Sequence, residues 1–267
     1  MSDLTITLIQ SDLHWENKQA NLDMFEEKIL GISDKTNVVI LPETFTTGFS
    51  MKPGQLAETM DGPSVQWMKR IAAEKKVILT GSLIIEEAGS YYNRLLWMLP
   101  NGQYGQYDKR HRFAYAGEDQ RFEAGNKRLI ASVNGWKVNL QVCYDLRFPV
   151  WARQHSALEY DLLVYVANWP DRRTHAWKTL LQARAIENQC YVIGLNRIGQ
   201  DGNEISYSGN SMIIDPLGET LYTKMHDEDV HTHTLSKEKL EDVREKFPFW
   251  KDADEFRIMK PTEEKVQ

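Results

Sequence analysis

Residues 5–10 alternate apolar and β-branched side chains and predict a first strand, and 17–30 sets Leu22, Phe25 and Ile29 on one helical stripe. Residues 38–41 form a short, wholly apolar strand running into Pro42-Glu43. Asp61-Gly62-Pro63 then opens a helix carrying Val65, Met68 and Ile71, and 77–85 is the next strand. Asn101-Gly102 and Asn134-Gly135 supply the positive φ angles of tight hairpin turns, so 93–99 pairs with 103–107 and 129–133 with 137–142. Between the hairpins, 109–127 is polar and has little periodicity. After Cys143 the pattern predicts a short helix near 149–155, a strand at 162–167 and a helix over 174–189. Strands follow at 191–196, 205–214, 219–224 and 230–235, before a helix over 236–246 and an irregular tail. Strands and helices mixed in this way predict a layered α/β sandwich, sheets covered by helices. With no composition shift and no internal repeat, 1–267 reads as one domain, with 236–267 as its C-terminal helix and tail.

Composition narrows the partners. The 267 residues are 42% hydrophobic, enough for a substantial core, and the net charge of −6 comes with both signs interspersed. No basic stripe advertises nucleic acid, so a small molecule or a protein is the expected partner. The longest apolar runs fall far short of the roughly 20 residues a bilayer span requires. The first residues carry no secretory pattern, and Cys143 and Cys190 alone make no disulfide framework, which points to a reducing cytoplasm.

Three side chains stand at predicted strand ends. Cys143 closes the strand 138–142 and precedes Tyr144-Asp145-Leu146-Arg147-Phe148-Pro149, so the chain must leave the sheet abruptly there. Such an elbow exposes its apex side chain, as nucleophiles require, although a lone cysteine is more often an inert core thiol. Glu43 follows the strand 38–41 across a proline, and Lys109 follows the strand 103–107. One sheet edge can gather all three into a pocket.

In this order and context the residues resemble the nitrilase superfamily of carbon-nitrogen hydrolases. The resemblance lies in Leu41-Pro42-Glu43, Asp108-Lys109-Arg110-His111 and Cys143-Tyr144-Asp145-Leu146-Arg147-Phe148-Pro149. It continues through Ala167-Asn168-Trp169-Pro170, Arg184-Ala185-Ile186-Glu187-Asn188 and 211–218, covering nearly the whole chain. It implies a four-layer αββα sandwich and a catalytic Glu43, Lys109 and Cys143. It also implies a second glutamate between lysine and cysteine, for which Glu118 is preferred over Glu123, the latter lying nearer the Ala124-Gly125 turn that re-enters the sheet.

The chemistry follows from what an unactivated amide demands. A thiol with a pKa of about 8.5 is mostly protonated at neutral pH and requires a base or a cation beside it. Glu43 would supply the base and Lys109 the charge, with Lys109 and the backbone N–H of Tyr144 holding the oxyanion. A thioester on Cys143 and ammonia result, and no metal or organic cofactor is required.

Tyr144 and Trp169 are expected pocket walls. Arg147, Arg172 and Arg173 follow the same strand ends and are suited to a substrate carboxylate, the equal alternative being a structural pair, for instance Arg147 with Asp145 or another acid. Cys190 reads as structural, and His226, His231 and His233 as a solvated segment without the third spaced ligand of a metal site. Within the superfamily, 244–256 and Ala116-Gly117-Glu118 look most like the bacterial omega-amidase branch. That implies a dicarboxylate monoamide such as 2-oxoglutaramate or succinamate as substrate, and a homodimer or higher oligomer joined through helices beside the site. The same catalytic residues would serve an N-carbamoyl-amide hydrolase or a nitrilase. A catalytically idle binding protein would have no need of the set, and a papain-like protease would need a histidine that nothing ties to Cys143. The choice between the two glutamates is open to a direct test: Glu118→Gln abolishes turnover and Glu123→Gln retains it, and the reverse pattern in an ammonia-release assay overturns the preference.

Overall fold

A computed structural model describes residues 2–155 and 158–259, so residues 260–267 of the expected tail lie outside the described residues. The first half runs β1 (Leu4–Gln10), α1 (Lys18–Leu30), β2 (Val38–Ile40), α2 (Pro53–Leu56), α3 (Pro63–Lys75), β3 (Ile78–Glu87), β4 (Ser90–Met98) and β5 (Tyr104–Asp108). The second runs β6 (Leu129–Val133), β7 (Trp136–Val142), α4 (Pro149–Ala152), β8 (Leu162–Ala167), α5 (Thr174–Asn188), β9 (Tyr191–Asn196) and β10 (Ile198–Gln200). It closes with β11 (Ser206–Ile214), β12 (Thr220–Met225), β13 (Asp229–Leu235) and α6 (Lys237–Lys246).

The strands form two sheets of similar plan. The first has the order β13-β1-β2-β3-β4-β5, with β1, β2 and β3 parallel and antiparallel strands on both flanks. The second has the order β10-β11-β9-β8-β7-β6, with β12 added on β11 and with β7, β8 and β9 parallel. Parallel neighbours cannot be joined by a tight turn; α1, α3 and α5 lie in three of the four crossovers, and the short α4 in the one from β7 to β8. Such strands are covered on both faces, which is why 38–40 and 162–167 are apolar throughout instead of alternating.

Three apolar interfaces make four layers. Ile6, Leu8, Val38, Ile40, Leu95 and Trp97 of the first sheet pack with Val138, Leu140, Val142 and Val164 of the second. On the outer face of the first sheet, Val39, Leu79 and Leu83 meet Phe25 and Ile29 of α1 and Val65, Met68 and Ile71 of α3. On the outer face of the second, Trp177 and Leu181 of α5 lie so close to β9 that a Cβ at Gly194 would fall 2.4 Å from Leu181 Cδ1. The αββα sandwich implied by the sequence is thus the observed architecture.

Some expectations need correction. The strand expected over 77–85 continues to Glu87 and turns at Ala88-Gly89 into β4, whose start the expected hairpin placed three residues late, at Asn93. The extra length is paired backbone with a polar exterior, which apolar periodicity cannot register. The histidine segment is more packed than its polarity suggests: His231 stacks on Tyr222 at 3.7 Å between centroids, joining β13 of one sheet to β12 of the other. No helix among the described residues is long and apolar enough to cross a membrane. Gly194→Val should push α5 off the second sheet and destabilise the fold by about 1–3 kcal/mol, as measured by denaturant unfolding.

Candidate active site

Within each sheet the parallel strands end on the same side, and β5, twice reversed from β3, ends there too. The chain leaving β2 keeps pairing with β3 through Leu41 N–H to Thr80 O, then turns at Pro42. Thr44 sits at φ 42°, in the left-handed region, with its N–H donated to Ser82 Oγ. Between these two anchors Glu43 is aimed into the seam between the sheets and is wholly buried.

Lys109 follows β5 directly. Its N–H bonds to Asn93 O on β4, and its carbonyl accepts from Gly125 N–H as the polar segment returns. Gly125 approaches so closely that a Cβ there would lie 1.9 Å from Asp108 O. The intervening chain forms a 3-10 turn, Glu118–Gln120, which swings Glu118 inward. Its carboxylate accepts from Phe113 N–H at 2.5 Å and is fully buried, whereas Glu123 is exposed and donates its N–H to Tyr91 O.

Cys143 stands at φ 45°, where a strand becomes the 3-10 turn Cys143–Arg147 without a linker. A residue with a Cβ is strained there, and the surroundings must hold it. Asp145 does so: it accepts from Val142 N–H at 3.0 Å, Tyr107 Oη at 2.7 Å and His111 N–H at 3.0 Å. It also lies 2.8 Å from His111 Nδ1, so its acceptor capacity is taken up around the elbow. The structural pair with Arg147 that the sequence allowed does not form. Arg147 instead lies over the Trp169 ring, 4.9 Å from its centroid.

These segments bring the four side chains together. Lys109 Nζ donates to Glu43 Oε1 at 2.9 Å and to both oxygens of Glu118 at 2.9 Å. Glu43 Oε1 also accepts from Asn93 Nδ2 at 2.8 Å, and Oε2 from Asn168 N–H at 2.8 Å and Asn168 Nδ2 at 3.2 Å. Cys143 Sγ lies 3.9 Å from Asn168 O and near enough to the Glu43 carboxylate to feel its charge. Asn93 and Asn168 were not picked out as functional residues by sequence reasoning. Asn168 does fall in the quoted Ala-Asn-Trp-Pro segment, but Asn93 reads as an ordinary strand residue.

Two buried carboxylates face one buried ammonium, and this imbalance sets the electrostatics. Burial works against the Lys109 ammonium, yet Glu118, Glu43 and Cys143 outweigh it and hold the lysine pKa above the ordinary value. Burial raises the Glu118 pKa despite Lys109. Burial and then Glu43 push the Cys143 thiol well up, and Lys109 does not cancel them, so the resting sulfur is a thiol. The cation beside the sulfur therefore does not make a thiolate in advance, because burial and the two glutamates outweigh it there.

Above the sulfur lies a cavity of about 410 Å³. Cys143, 8% exposed, forms part of its floor with Lys109 and Asn168, and Phe113, Tyr144 and Trp169 supply aromatic walls. Tyr144 meets the Phe113 ring edge-on at 4.9 Å, and Trp169 is anchored by its indole N–H to Arg173 O at 2.8 Å. Arg147, Arg172 and Arg173 reach the same cavity, with Arg173 over the Phe113 ring. Arg94, Arg184, Arg197 and Arg244 are each paired with a carboxylate, but none of these three is paired among the described residues. Cys190, by contrast, is buried away from this cavity.

Comparison with known proteins agrees with this arrangement. Residues 5–245 match the carbon-nitrogen hydrolase family. The chain is 44% identical to omega-amidase YafV of Escherichia coli over 97% of its own length and all of the relative's. It is 33% identical to the 2-oxoglutaramate amidase of Bacillus subtilis over 93% of this chain and 96% of that one. A crystal structure of XC1258 from Xanthomonas campestris, a CN-hydrolase superfamily protein with an arsenic adduct in its active site, superposes with a TM-score of 0.94. It shares 43% identity over 97% of this chain and all of that one. With the αββα layers and the buried Glu43, Lys109, Glu118 and Cys143 already described, the chain belongs to the carbon-nitrogen hydrolases of the nitrilase superfamily, next to its omega-amidases.

Proposed function

We propose that this hydrolase cleaves the omega-amide of a dicarboxylate monoamide, 2-oxoglutaramate or succinamate in class, through a thioester on Cys143. The observation that carries the reading is the group of arginines without carboxylate partners among the described residues, Arg147, Arg172 and Arg173, around an aromatic-walled cavity that reaches the Cys143 sulfur. Guanidiniums held without a protein counter-charge are suited to a substrate carboxylate, and a bidentate contact adds orientation to affinity. The relatives named omega-amidase and 2-oxoglutaramate amidase support the same substrate class.

In this reading Glu43 takes the thiol proton as Sγ attacks the amide carbonyl carbon. The negative charge that develops on oxygen is met by the Lys109 ammonium and the Tyr144 backbone N–H, and losing one such donor costs about 2.7–4 kcal/mol of barrier. Glu43 passes its proton to the departing nitrogen, the C–N bond breaks and ammonia leaves, with the acyl group on sulfur. Glu43 then accepts a proton from water, whose oxygen attacks the thioester. Collapse of that adduct returns the Glu43 proton to sulfur and releases the carboxylic acid, which loses its proton to solvent as the carboxylate. Glu118, with both oxygens on Lys109 Nζ, fixes the ammonium and orients the amide nitrogen.

Two measurements test this. Intact-mass analysis during succinamate turnover should detect an acyl adduct on the wild-type protein and none on Cys143→Ala, and unchanged activity in Cys143→Ala sinks the mechanism. Arg173→Met should raise KM for succinamate on the order of tenfold or more, as expected for loss of a charge-assisted contact, while hydrolysis of butyramide, a neutral amide of equal length, changes little. Equal effects on the two substrates remove the carboxylate reading. Ammonia release from an N-carbamoyl amide or a nitrile in preference to succinamate replaces it with another substrate of the same chemistry.

A further inference from the structure

Strand order gives the cavity two ends. Cys143 follows β7, which lies against β4 of the other sheet, whereas Trp15 follows β1, which lies against β9. From β7 to β9 is two strands, roughly 10 Å at about 4.8 Å per strand. Cys143 and Trp15 both line the cavity. The turn Asp171–Arg173, which carries the arginine proposed to take the carboxylate, packs on β11 towards the Trp15 end, with Thr174 Oγ1 3.3 Å from Ser208 Oγ.

Trp15 is held as a wall and not as core. It is half-buried and belongs to neither apolar cluster of the core. Backbone from both sheets presses on its indole instead. A Cβ at Gly48, in the chain after β2, would lie 3.0 Å from Trp15 Cε3, and one at Gly202, in the turn between β10 and β11, 2.2 Å from Trp15 Nε1. The next residue, Glu16, takes φ 53°, strained for a residue with a Cβ, and two contacts hold it. Its N–H donates to Thr47 O at 2.9 Å, and its carboxylate accepts from Ser50 Oγ at 2.6 Å. The Gly202 turn is equally fixed, because Asp201 Oδ1 accepts Asn203 N–H at 2.8 Å and Ile205 N–H at 3.1 Å. Tyr207, which also lines the cavity, donates Oη to Asp201 at 2.8 Å and lies under Arg197 at 4.7 Å.

We infer that Trp15 is a specificity-determining residue: as the fixed wall at the end opposite Cys143, it sets how many carbons separate the scissile amide from the far end of the substrate. The inference rests on the proposed reading of Cys143 as nucleophile and Arg173 as carboxylate partner. Roughly 10 Å between nucleophile and wall, less the contact distances at both ends, leaves room for a short acyl chain only. A wall that cannot yield rejects an added methylene, whereas a mobile side chain would move aside.

The test is chain length, with kcat/KM measured for succinamate, glutaramate and adipamate, of four, five and six carbons. Wild type should lose on the order of tenfold or more from glutaramate to adipamate, within the range one methylene is worth in an apolar pocket. Trp15→Leu should raise the adipamate-to-succinamate ratio on the order of tenfold. Gly202→Ala, which sets a methyl group where the indole stands, should press the ring into the cavity and slow glutaramate more than succinamate; it is the second variant should the first not fold. Folded variants, with unchanged circular dichroism, that slow all three substrates by one factor overturn the inference, as a merely structural tryptophan would give. A wild type that takes adipamate as readily as glutaramate overturns it too. The neutral amides butyramide and hexanamide separate the two levels. If charge makes no difference, while hexanamide is refused by wild type and admitted by Trp15→Leu, the carboxylate reading has failed and the wall stands. If succinamate is preferred to butyramide but length makes no difference, only the present inference has failed.

Discussion

Glu43 is a carboxylate with no exposed surface, and the rest of the site is arranged around the requirement that its charge be met. An ion taken from water into a protein interior carries a penalty of several kcal/mol that only close donors offset. The donors come from both sheets: Asn93 and Lys109 from the first, the Asn168 backbone and side chain from the second. The two sheets therefore cannot shift against each other at this edge without leaving a buried charge short of a partner. Packing of the apolar inner faces provides most of the cohesion, and the Glu43 contacts specify the alignment.

The same seam explains why the site combines strain with rigidity. Thr44 and Cys143 both occupy the left-handed region, one at each elbow, and each elbow is held by hydrogen bonds outside its own turn. Ser82 on β3 holds the first, and Asp145 with Tyr107 and His111 holds the second. Elbows held in this way keep Sγ near Glu43 and under the cavity at once, which in the proposed reading is the geometry that nucleophilic attack needs before substrate arrives.

The charge count adds a chemical consequence. With one ammonium between two carboxylates, the cluster holds a surplus negative charge, which disfavours a second anion on sulfur. A preformed thiolate would be the stronger nucleophile at rest but would stand beside that surplus. In the proposed reading, a neutral thiol next to a carboxylate acceptor would give up its proton only as the new bond forms, leaving the Lys109 charge for the oxygen where negative charge develops.

How much of this was legible beforehand depends on the range of each interaction. Local pattern places Glu43, Lys109 and Cys143 at strand ends, because alternation and apolar runs mark strands and because proline and an abrupt loss of periodicity mark where they stop. The family blocks around them convey the chemistry and the αββα layers. What pattern does not carry is the company each side chain keeps across the fold. Asn168 and Glu43 are separated by 125 positions and Asn93 and Glu43 by 50; Asn93 reads as an ordinary strand residue, and the family segment that holds Asn168 does not say what its side chain touches. The choice of Glu118 as the partner of Lys109, with Glu123 left exposed, is made by a 3-10 turn in a segment without periodicity, and Asp145 turns to Tyr107 and His111 instead of Arg147 for the same reason. Sequence alone determined which residues stand at the edge of the sheets; only the packing of one sheet on the other decided which of them touch, since hydrogen bonds over such separations depend on three-dimensional alignment that no local periodicity encodes.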